Sequence, residues 1–345
     1  MNLKPRLMHT LYNRRKFIGL SVIAAAATAI TGPVSAHLAA SAPVPAGLRV
    51  GIIGLDVSHS VAFTKLLNAE NTPPAFGGYK VIAAYPQGSN DIAFSADRIP
   101  EFTKTVSAMG VEIVSSIADL LSKVDVVLLN TNDGRLHLEQ VLPVLKAGKR
   151  VFINKPFAAS MNDVKAIFAA SKKYKVPVFT SSSMRYMENK TQLLSAETGK
   201  ILGVETYSPA TIELTHPDLF WYGIHGVEML FTLMGRGCKE VRRIYTPDTD
   251  LVTGIWEDNR IGTFRGTRTG PHNYGGTVFA EKAIVPVIPA KGFAGLMTEI
   301  IKYFQTGISP VSPEETFEIY AFMQAADESK KQGGAAVALT HSYKL

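Results

Sequence analysis

Short apolar runs alternate with helix-length segments between residues 48 and 180. Continuous apolar runs of this length are typical of strands buried on both faces, and the helices between them predict a parallel sheet covered on both sides. The predicted strands are Val50–Ile53, Tyr79–Ala84, Glu112–Val114, Val124–Leu129, Val151–Ile153 and Pro177–Thr180. The predicted helices are Val61–Asn68, Ile99–Met109, Ile117–Leu121, Leu138–Lys146 and Met161–Lys173.

The pattern changes after about residue 203, where strand-like segments follow one another with turn residues between them. The predicted strands are Val204–Tyr207, Val241–Tyr245, Val252–Trp256, Ile261–Arg268 and Gly276–Ala283, and the predicted helices are Gly223–Leu233, Phe293–Gln305 and Pro313–Lys331. The chain is therefore predicted to be an α/β protein with two domains. Residues 48–180 form a Rossmann-type doubly wound parallel sheet, and residues 181–345 form an α+β domain with a large open, mostly antiparallel sheet.

Residues 1–36 have the pattern of an export signal. They contain NRRKFI at residues 13–18, then a moderately apolar, alanine-rich segment, then a small-residue cleavage pattern that ends at Ala36. We expect a twin-arginine signal cleaved near Ala36, a periplasmic protein and a short tether at residues 37–47. An ordinary secretory signal or an uncleaved anchor is the alternative.

Charge and cysteine content narrow the classes of function. The formal net charge is +7, but the first 36 residues hold five basic residues and no acid, which leaves +2 for the rest. This excess of positive charge is too small to predict a basic surface that binds nucleic acid. Cys238 is the only cysteine, so an internal disulfide framework is excluded, and no metal site is expected because hard ligands are not clustered. We expect a carbohydrate-like small-molecule substrate, no nucleic acid, no stable membrane span after signal removal, and a homo-oligomer formed through the C-terminal sheet.

Residues 49–60 read RVGIIGLDVSHS and nearly match a dinucleotide-binding fingerprint. An apolar strand ends at Gly54 and a helix follows, which is the context in which G-x-G-x-x-G holds a pyrophosphate. Asp56 stands at the second glycine position and His59 at the third, and a carboxylate there should repel a diphosphate. We prefer the interpretation that Asp56 caps the following helix. The alternative is a different site formed with Ser58 and His59, in which His59 offsets the carboxylate.

Three further segments resemble motifs of a known family. They read NTNDGRLH at residues 130–137, AGKRVFINKP at 147–156 and YGIHGVEMLFTLMG at 222–235. The first is similar to the loop that follows the fourth strand in that family. The second is similar to the family's Lys-Pro motif, and the third to its downstream helix that carries a histidine. Together with the altered glycine turn, they resemble the glucose-fructose oxidoreductase / inositol dehydrogenase (Gfo/Idh/MocA) family over nearly all of the chain after the signal.

The resemblance implies an NAD(P)-dependent oxidoreductase that transfers a hydride at a secondary alcohol of a sugar, polyol or glycoside. By motif position, Lys155 lies beside the nicotinamide and the substrate hydroxyl, and His225 is the acid/base. A positive Lys155 would stabilise a developing alkoxide, and His225 would titrate near neutrality. The structural alternatives are a surface lysine before a turn proline and a histidine that only packs in its helix.

The resemblance also implies a nucleotide-binding set at the carboxyl ends of the strands. The set comprises Gly54, Leu55, Asp56, His59, Tyr85, Asn132, His137, Asn154, Lys155 and Pro156. Residues 84–89 contain neither an acidic residue for the ribose nor an arginine that favours NADP, so NAD is expected only as the usual cofactor of the family. An exported enzyme cannot draw on free nucleotide, so tight binding is expected.

Three positions depart from the family pattern. Trp221 replaces an aspartate four residues before His225, and Asn154 replaces an acidic residue before Lys155. Glu228 replaces an aspartate one helical turn after His225, and we expect it to orient or charge-couple the imidazole.

Four residues are candidates for substrate contacts. Arg185 and Tyr186 follow a predicted strand and could bind hydroxyl or carboxylate groups, or belong to a helix N-cap run. Trp221 and Tyr222 could stack on a sugar ring or pack in the core.

Two other functions compete with the oxidoreductase. One is an NAD-assisted or cofactor-free glycoside hydrolase or lyase on the same fold, which Asp56 makes conceivable. The other is a periplasmic sugar-binding protein without catalysis, and the presence of Lys155 and His225 argues against it.

Overall fold

The computed structural model describes residues 47–339, which belong to one compact unit. The predicted signal and the tether up to residue 46 lie outside the described residues. The strands are β1 (Arg49–Ile53), β2 (Lys80–Tyr85), β3 (Glu112–Ile113), β4 (Val126–Leu129), β5 (Val151–Ile153), β6 (Val178–Phe179), β7 (Ile201–Pro209), β8 (Cys238–Tyr245), β9 (Thr249–Trp256), β10 (Ile261–Thr267), β11 (Gly275–Ala280), β12 (Ile284–Val287) and β13 (Val337–Ala338).

Eleven α-helices connect these strands in the described residues. They are α1 (Ser58–Asn68), α2 (Ala93–Ala96), α3 (Ile99–Ser107), α4 (Ile117–Lys123), α5 (His137–Lys146), α6 (Met161–Tyr174), α7 (Lys190–Leu193), α8 (Asp218–Trp221), α9 (Ile224–Met234), α10 (Ala294–Thr306) and α11 (Pro313–Lys331). Two 3-10 turns lie at Pro74–Phe76 and Ser183–Arg185.

The first sheet has the order β3-β2-β1-β4-β5-β6, and every adjacent pair is parallel. The predicted N-terminal Rossmann sheet is confirmed. Serine caps define where several helices begin: the Ser116 and Ser160 hydroxyl oxygens each accept a backbone N–H three residues later, at 3.0 Å. The reversal of strand order beside β1 leaves the carboxyl ends of β1 and β4 open for a ligand.

The second sheet has the order β12-β11-β7-β10-β9-β8-β13. Only β7 and β10 pair in parallel among its described strands, so the predicted mostly antiparallel sheet is confirmed. β12 and β13 and the four-residue helices were not predicted, because such short segments have too little periodicity. Along β9 every second residue is buried, so one face of the sheet is covered and the other is open.

The apolar core continues across the two sheets. One cluster joins Val127 and Val151 of the first sheet to Phe264 and Trp256 of the second. The first sheet ends at Phe179 and the second begins at Ile201. In the described part of the chain, none of the helices has the length and apolarity to cross a membrane.

Candidate active site

A cavity of about 250 Å³ lies at the carboxyl end of the first sheet, where that sheet meets α9. The β1–α1 turn, the segments after β4, β5 and β6, the α2–α3 region and the start of α10 all contribute to it. The lining residues are Val57, Ser58, His59, Phe94, Arg98, Asn132, Lys155, Ser183, Met184, Tyr222, His225, Tyr274, Gly292 and Phe293.

Lys155 is a buried lysine that faces this cavity. It follows β5 directly, is 4% exposed, and its Nζ lies 4.7 Å from the ring centroid of Tyr222. Among residues 47–339 no carboxylate forms an ion pair with it. Burial lowers the pKa of Lys155 to about 8, while the charge of Asp56 acts to raise it and that of Arg98 to lower it. The expectation of a surface lysine before a turn proline is excluded, and Lys155 can exchange a proton near neutral pH.

His225 lies in the first turn of α9 and faces the same cavity. Its Nδ1 is 2.6 Å from Oγ of Ser182, and that oxygen also accepts the backbone N–H of Met184 at 3.1 Å. The Ser182 hydroxyl can therefore donate to Nδ1, which leaves the proton of a neutral ring on Nε2. Burial, Lys155 and His59 lower the pKa of His225 well below its usual value, so the expected titration near neutrality is wrong.

Glu228 forms no hydrogen bond with His225 among the described residues, so the predicted direct coupling to the imidazole is not seen. Its carboxylate accepts hydrogen bonds from the Ser181 hydroxyl at 2.8 Å, the Ser182 N–H at 2.7 Å and Nε of Arg185 at 2.8 Å. The two side chains point to different partners although they lie one helical turn apart. Glu228 acts on His225 only through Ser182, whose backbone it holds.

Asp56 is buried in the groove that a pyrophosphate would use, and it does not cap α1. The residue at the N-cap position is Val57, and no side chain accepts a hydrogen bond there. The Asp56 carboxylate instead accepts the Ser95 hydroxyl at 2.5 Å and the Asn132 N–H at 3.0 Å. Burial raises the pKa of Asp56 to about 6. The capping interpretation is wrong, because the side chain turns away from the helix and into the protein.

His59 does not offset the Asp56 charge either. Its ring lies 4.5 Å from the ring of Phe293 and 5.5 Å from that of Phe63, between centroids. Burial, followed by the charge of Lys155, lowers the pKa of His59 to about 3, so the ring is neutral. Its Nδ1 is buried and has no partner among the described residues. His59 therefore lines the cavity as a neutral aromatic ring whose Nδ1 is buried in the protein.

The segment that follows β2 closes the same groove from outside. Gly88 packs so closely that a Cβ on it would lie 2.7 Å from Oδ2 of Asp56. Farther out, Asp133 accepts hydrogen bonds from the Ser89 hydroxyl and from Arg135, at 2.7 Å for Arg135 Nη2. Arg135 in turn pairs with Asp91 at 2.7 Å. Two buried carboxylates therefore hold residues 88–95 over the turn after β1.

Other features of this edge fit a nucleotide. Gly54 has φ +92°, and a Cβ there would lie 2.3 Å from the backbone N of Thr131, so glycine is required. The buried amide side chains of Asn130, Asn132 and Asn154 have no hydrogen-bond partner among the described residues. Such groups normally pair with something, and a ligand's carboxamide or ribose would satisfy them. Of the three only Asn132 lines the cavity, so it is the one that a bound nucleotide could reach, and the Asp56 carboxylate would oppose a pyrophosphate in the neighbouring groove.

Five more predicted cofactor residues do not line the cavity. Leu55 packs in the apolar core, and the carbonyl of Tyr85 accepts the Gly54 N–H at 2.9 Å. His137 is fully buried, with Nε2 2.7 Å from the Thr131 carbonyl oxygen. These residues shape the strand ends. Asn154 and Pro156 flank Lys155 without lining the cavity, and the Lys155–Pro156 peptide bond is cis.

The structure also separates the predicted substrate residues. Tyr222 lines the cavity, but Trp221 is 4% exposed and packs on His216, with 4.8 Å between ring centroids. Arg185 is buried in ion pairs with Glu228 at 2.8 Å and Glu315 at 2.6 Å.

Tyr186 lies against α10. A Cβ added to Gly295 of that helix would lie 2.9 Å from the Cβ of Tyr186. The expected substrate contacts of Arg185, Tyr186 and Trp221 are therefore wrong for this cavity.

Several lining residues were not predicted. Arg98 and Phe94 come from the α2–α3 region, and the guanidinium carbon of Arg98 lies 3.4 Å from the centroid of the Phe94 ring. Phe293 comes from the start of α10. None of these residues belongs to a recognisable motif, so only the fold brings them to the site. Within residues 47–339, no group of three or more His, Cys, Asp or Glu could hold a metal ion.

Residues 48–182 match the model of the GFO_IDH_MocA family, an oxidoreductase family with an NAD-binding Rossmann fold. The match spans β1 to β6, so the first sheet corresponds to the NAD-binding Rossmann fold of that oxidoreductase family. A comparison with curated protein sequences finds no match.

Solved structures of similar fold extend over both sheets. A probable dehydrogenase from Thermotoga maritima superposes with a TM-score of 0.68 at 22% identity, covering 85% of this chain and 99% of that one. The scyllo-inositol dehydrogenase from Lactobacillus casei with bound NAD(H) and scyllo-inositol gives 0.66 at 16% identity, covering 85% and 99%. GenD2 from gentamicin A biosynthesis, in complex with NAD, gives 0.68 at 15% identity, covering 87% and 98%. At these identities the likeness shows the fold alone.

Proposed function

We propose that this protein oxidises or reduces a CH–OH group of a sugar, polyol or glycoside with a nicotinamide nucleotide. The observation that carries the proposal is the convergence of Lys155 and His225 on one cavity at the carboxyl end of the Rossmann sheet. Those two side chains come from motifs about seventy residues apart in the sequence. The similar fold of a scyllo-inositol dehydrogenase supports a carbohydrate-like substrate.

The proton of the reacting hydroxyl passes to Lys155 in this mechanism. Burial places the pKa of Lys155 at about 8, so a neutral amine is accessible near physiological pH. His225 is neutral and, with its proton on Nε2, donates a hydrogen bond to the hydroxyl oxygen. Ser182 holds the ring in that orientation. The aromatic ring of Tyr222 covers Lys155 and limits the access of water.

A bound nicotinamide nucleotide would supply the hydride acceptor. Asn132 is the amide side chain that lines the cavity and would hold its nicotinamide end, and NAD is proposed as the family's usual cofactor. Retention during export would rest on these contacts, because Asp56 opposes the pyrophosphate.

A cofactor-free hydrolase or lyase on the same fold is the second candidate. Asp56 favours it, because a carboxylate stands where the fingerprint has glycine. The lining of the cavity argues against this second candidate. Glycosidases that work without a cofactor use a pair of carboxyl groups, and no Asp or Glu lines this cavity.

Bound nucleotide provides the decisive test. We expect purified protein, once denatured, to release a nicotinamide nucleotide that absorbance and mass spectrometry detect, or to bind added NAD⁺ in calorimetry. The oxidoreductase proposal fails if the denatured protein releases no nucleotide and if neither NAD⁺ nor NADP⁺ binds at millimolar concentration. That result would favour the cofactor-free hydrolase or lyase.

Export to the periplasm is also proposed, on the pattern of residues 13–36. Cell fractionation of the full chain should recover a periplasmic protein that begins near residue 37. Replacement of Arg14 and Arg15 by lysine should retain it in the cytoplasm, whereas replacement of Lys4 and Arg6 by glutamine should not.

A further inference from the structure

Two tyrosine rings pack against the imidazole of His225 inside the cavity. The centroid of the Tyr222 ring lies 5.5 Å from that of His225, with 69° between the ring planes. The ring of Tyr274 lies 5.8 Å from the imidazole at 86°. Both tyrosines line the cavity and are half-buried. Tyr222, His225 and Tyr274 therefore form an aromatic corner, in which both tyrosine rings are steeply inclined to the imidazole.

The two tyrosines of the aromatic corner differ in what covers their rings. Nζ of Lys155 lies 4.7 Å from the centroid of the Tyr222 ring, so Lys155 covers one face of that ring. Within residues 47–339, no lysine or arginine lies over Tyr274 in this way, and its ring partner is His225. Tyr274 immediately precedes β11, so the second sheet supplies it, whereas Lys155 follows β5 of the first. A ligand can therefore pack on Tyr274 without displacing a charged side chain.

The aromatic corner is uncharged near neutral pH. Burial, and after it the nearby Tyr222, raises the pKa of Tyr274 to about 12, so its phenol keeps its proton. His225 is neutral because burial lowers its pKa well below the usual value. Met184 lines the cavity as well, and a flexible thioether side chain adapts its shape to apolar ligands and contacts aromatic rings favourably.

The cavity offers few paired hydrogen-bonding groups to a ligand with many hydroxyls. No Asp or Glu is among its fourteen lining residues, and Asn132 is the only amide side chain among them. Each hydroxyl of a buried sugar ring needs a partner, because an unpaired polar group in a protein interior costs free energy. Lys155 and His225 serve the reacting hydroxyl. The aromatic corner instead offers surface on which an aromatic group can pack edge to face or with an offset.

We propose that the aromatic corner binds an aromatic group of the substrate, that the substrate is a glycoside with an aromatic aglycone, and that Tyr274 determines this specificity. The inference deepens the proposed function and rests on it for the reaction at the CH–OH group. That group then lies toward Lys155, and the aglycone packs on Tyr274. The nicotinamide ring of a cofactor is also aromatic, and the experiment separates the two sources.

Calorimetric titrations of the full protein test the proposal. The probes are the methyl, cyclohexyl and phenyl β-glycosides of glucose and galactose, each added with and without saturating NAD⁺, and NAD⁺ alone. The variants are Tyr274→Leu, which removes the ring, Tyr274→Phe, which removes only the hydroxyl, and the control Phe279→Leu, which changes an exposed aromatic residue of β11. We expect a phenyl glycoside to bind at least tenfold more tightly than its methyl counterpart, and more tightly than the cyclohexyl one. Tyr274→Leu should abolish that preference, whereas Tyr274→Phe and Phe279→Leu should keep it.

Three results would overturn the proposal. They are phenyl glycosides that bind no more tightly than the methyl or cyclohexyl ones, phenyl glycosides that do not bind, and a phenyl preference that survives Tyr274→Leu. If Tyr274→Leu weakens NAD⁺ alone, Tyr274 packs on the nicotinamide and the aromatic aglycone is excluded. Thermal unfolding of each variant without ligand checks that the fold is kept. The glycoside titrations without NAD⁺ need no nucleotide, so failure of nucleotide binding is seen separately from failure of the aromatic corner.

Discussion

At the scale of single residues, burial lowers the pKa values of Lys155 and His225 to different extents. The pKa of Lys155 falls to about 8, into the range of an effective base, whereas that of His225 falls well below neutrality. Both shifts have desolvation as their largest cause, because burial disfavours the charged form of each group. Lys155 is therefore the group that titrates, and His225 is a neutral hydrogen-bond donor.

The pH dependence of oxidation tests this division. The neutral amine is the active form, so kcat for alcohol oxidation should rise from pH 6.5 and level off above about pH 8. Lys155→Met should lower kcat by about a hundredfold or more while nucleotide affinity changes little. The exposed control Lys146→Met should leave both unchanged. A profile that falls with pH, or an active Lys155→Met enzyme, would remove Lys155 as the base.

Asp56 should weaken nucleotide binding through its charge. Its pKa of about 6 means that the carboxyl group is mostly ionised at pH 7.5 and mostly neutral at pH 5. Affinity for NAD⁺ should therefore increase as the pH falls through about 6. Asp56→Asn, which can still accept the Ser95 and Asn132 hydrogen bonds, should bind NAD⁺ about tenfold more tightly at pH 7.5 and lose the pH dependence.

The exposed neighbour Asp97 provides the matched control for this charge. Asp97→Asn should bind NAD⁺ like the unmodified protein when both are titrated by calorimetry. Weaker binding by Asp56→Asn would show that the carboxylate supports the nucleotide site.

At the scale of secondary-structure elements, one buried ion pair network joins three parts of the site. Arg185 in the turn after β6 bridges Glu228 of α9 and Glu315 of α11, and their side chains are 8%, 6% and 20% exposed. Glu228 also holds Ser181 and Ser182, and Ser182 contacts His225. The network fixes the histidine helix relative to the segment that orients its ring.

Removal of Arg185 should therefore destabilise the protein more than it changes substrate affinity. Arg185→Leu leaves Glu228 buried without its cation, and we expect the free energy of unfolding to fall by about 3–5 kcal/mol. Denaturant unfolding followed by circular dichroism measures the change. Arg242→Leu, which breaks an exposed pair with Glu240, should change it by less than about 1 kcal/mol. Equal losses in the two variants would refute the structural role of the network.

At the scale of the whole molecule, the outer face of the second sheet is open and partly apolar. Ile244 on β8 and Ile261 on β10 are 66% and 53% exposed, and α9 and α11 cover only the opposite face. An exposed apolar sheet face of this kind is typical of a protein–protein interface. We propose that copies of the chain associate through it.

The oligomeric state tests this surface. Light scattering after size exclusion should show a mass above that of a single chain, and the double variant Ile244→Glu and Ile261→Glu should shift it to the single-chain mass. Ile308→Glu, which changes an exposed isoleucine outside the second sheet, should keep the original mass. A single-chain mass for the unmodified protein would refute the proposal.

The local pattern of apolar and polar residues determined most of the strands and helices of this protein. Buried strands require continuous apolar runs, and helices require periodic ones, so the six strands of the first sheet and the main helices were predictable from neighbouring residues. Lys155, His225 and Gly54 were predictable because each belongs to a motif with its own spacing. Glycine is required at position 54 for two reasons. The positive φ is a local cause, and the backbone of Thr131 leaves no room for a Cβ.

Tertiary structure decided which partners these residues meet. Asp56 contacts Ser95, 39 residues away, instead of its own helix, and His225 contacts Ser182, 43 residues away, instead of Glu228. Such pairings depend on how separate elements pack, and no local spacing encodes them. The same holds for Arg98, which has no motif. Sequence alone determined the fold and two side chains that line the cavity, Lys155 and His225. Burial and long-range contacts decided their protonation, because pKa values depend on the desolvation and charges that only packing creates.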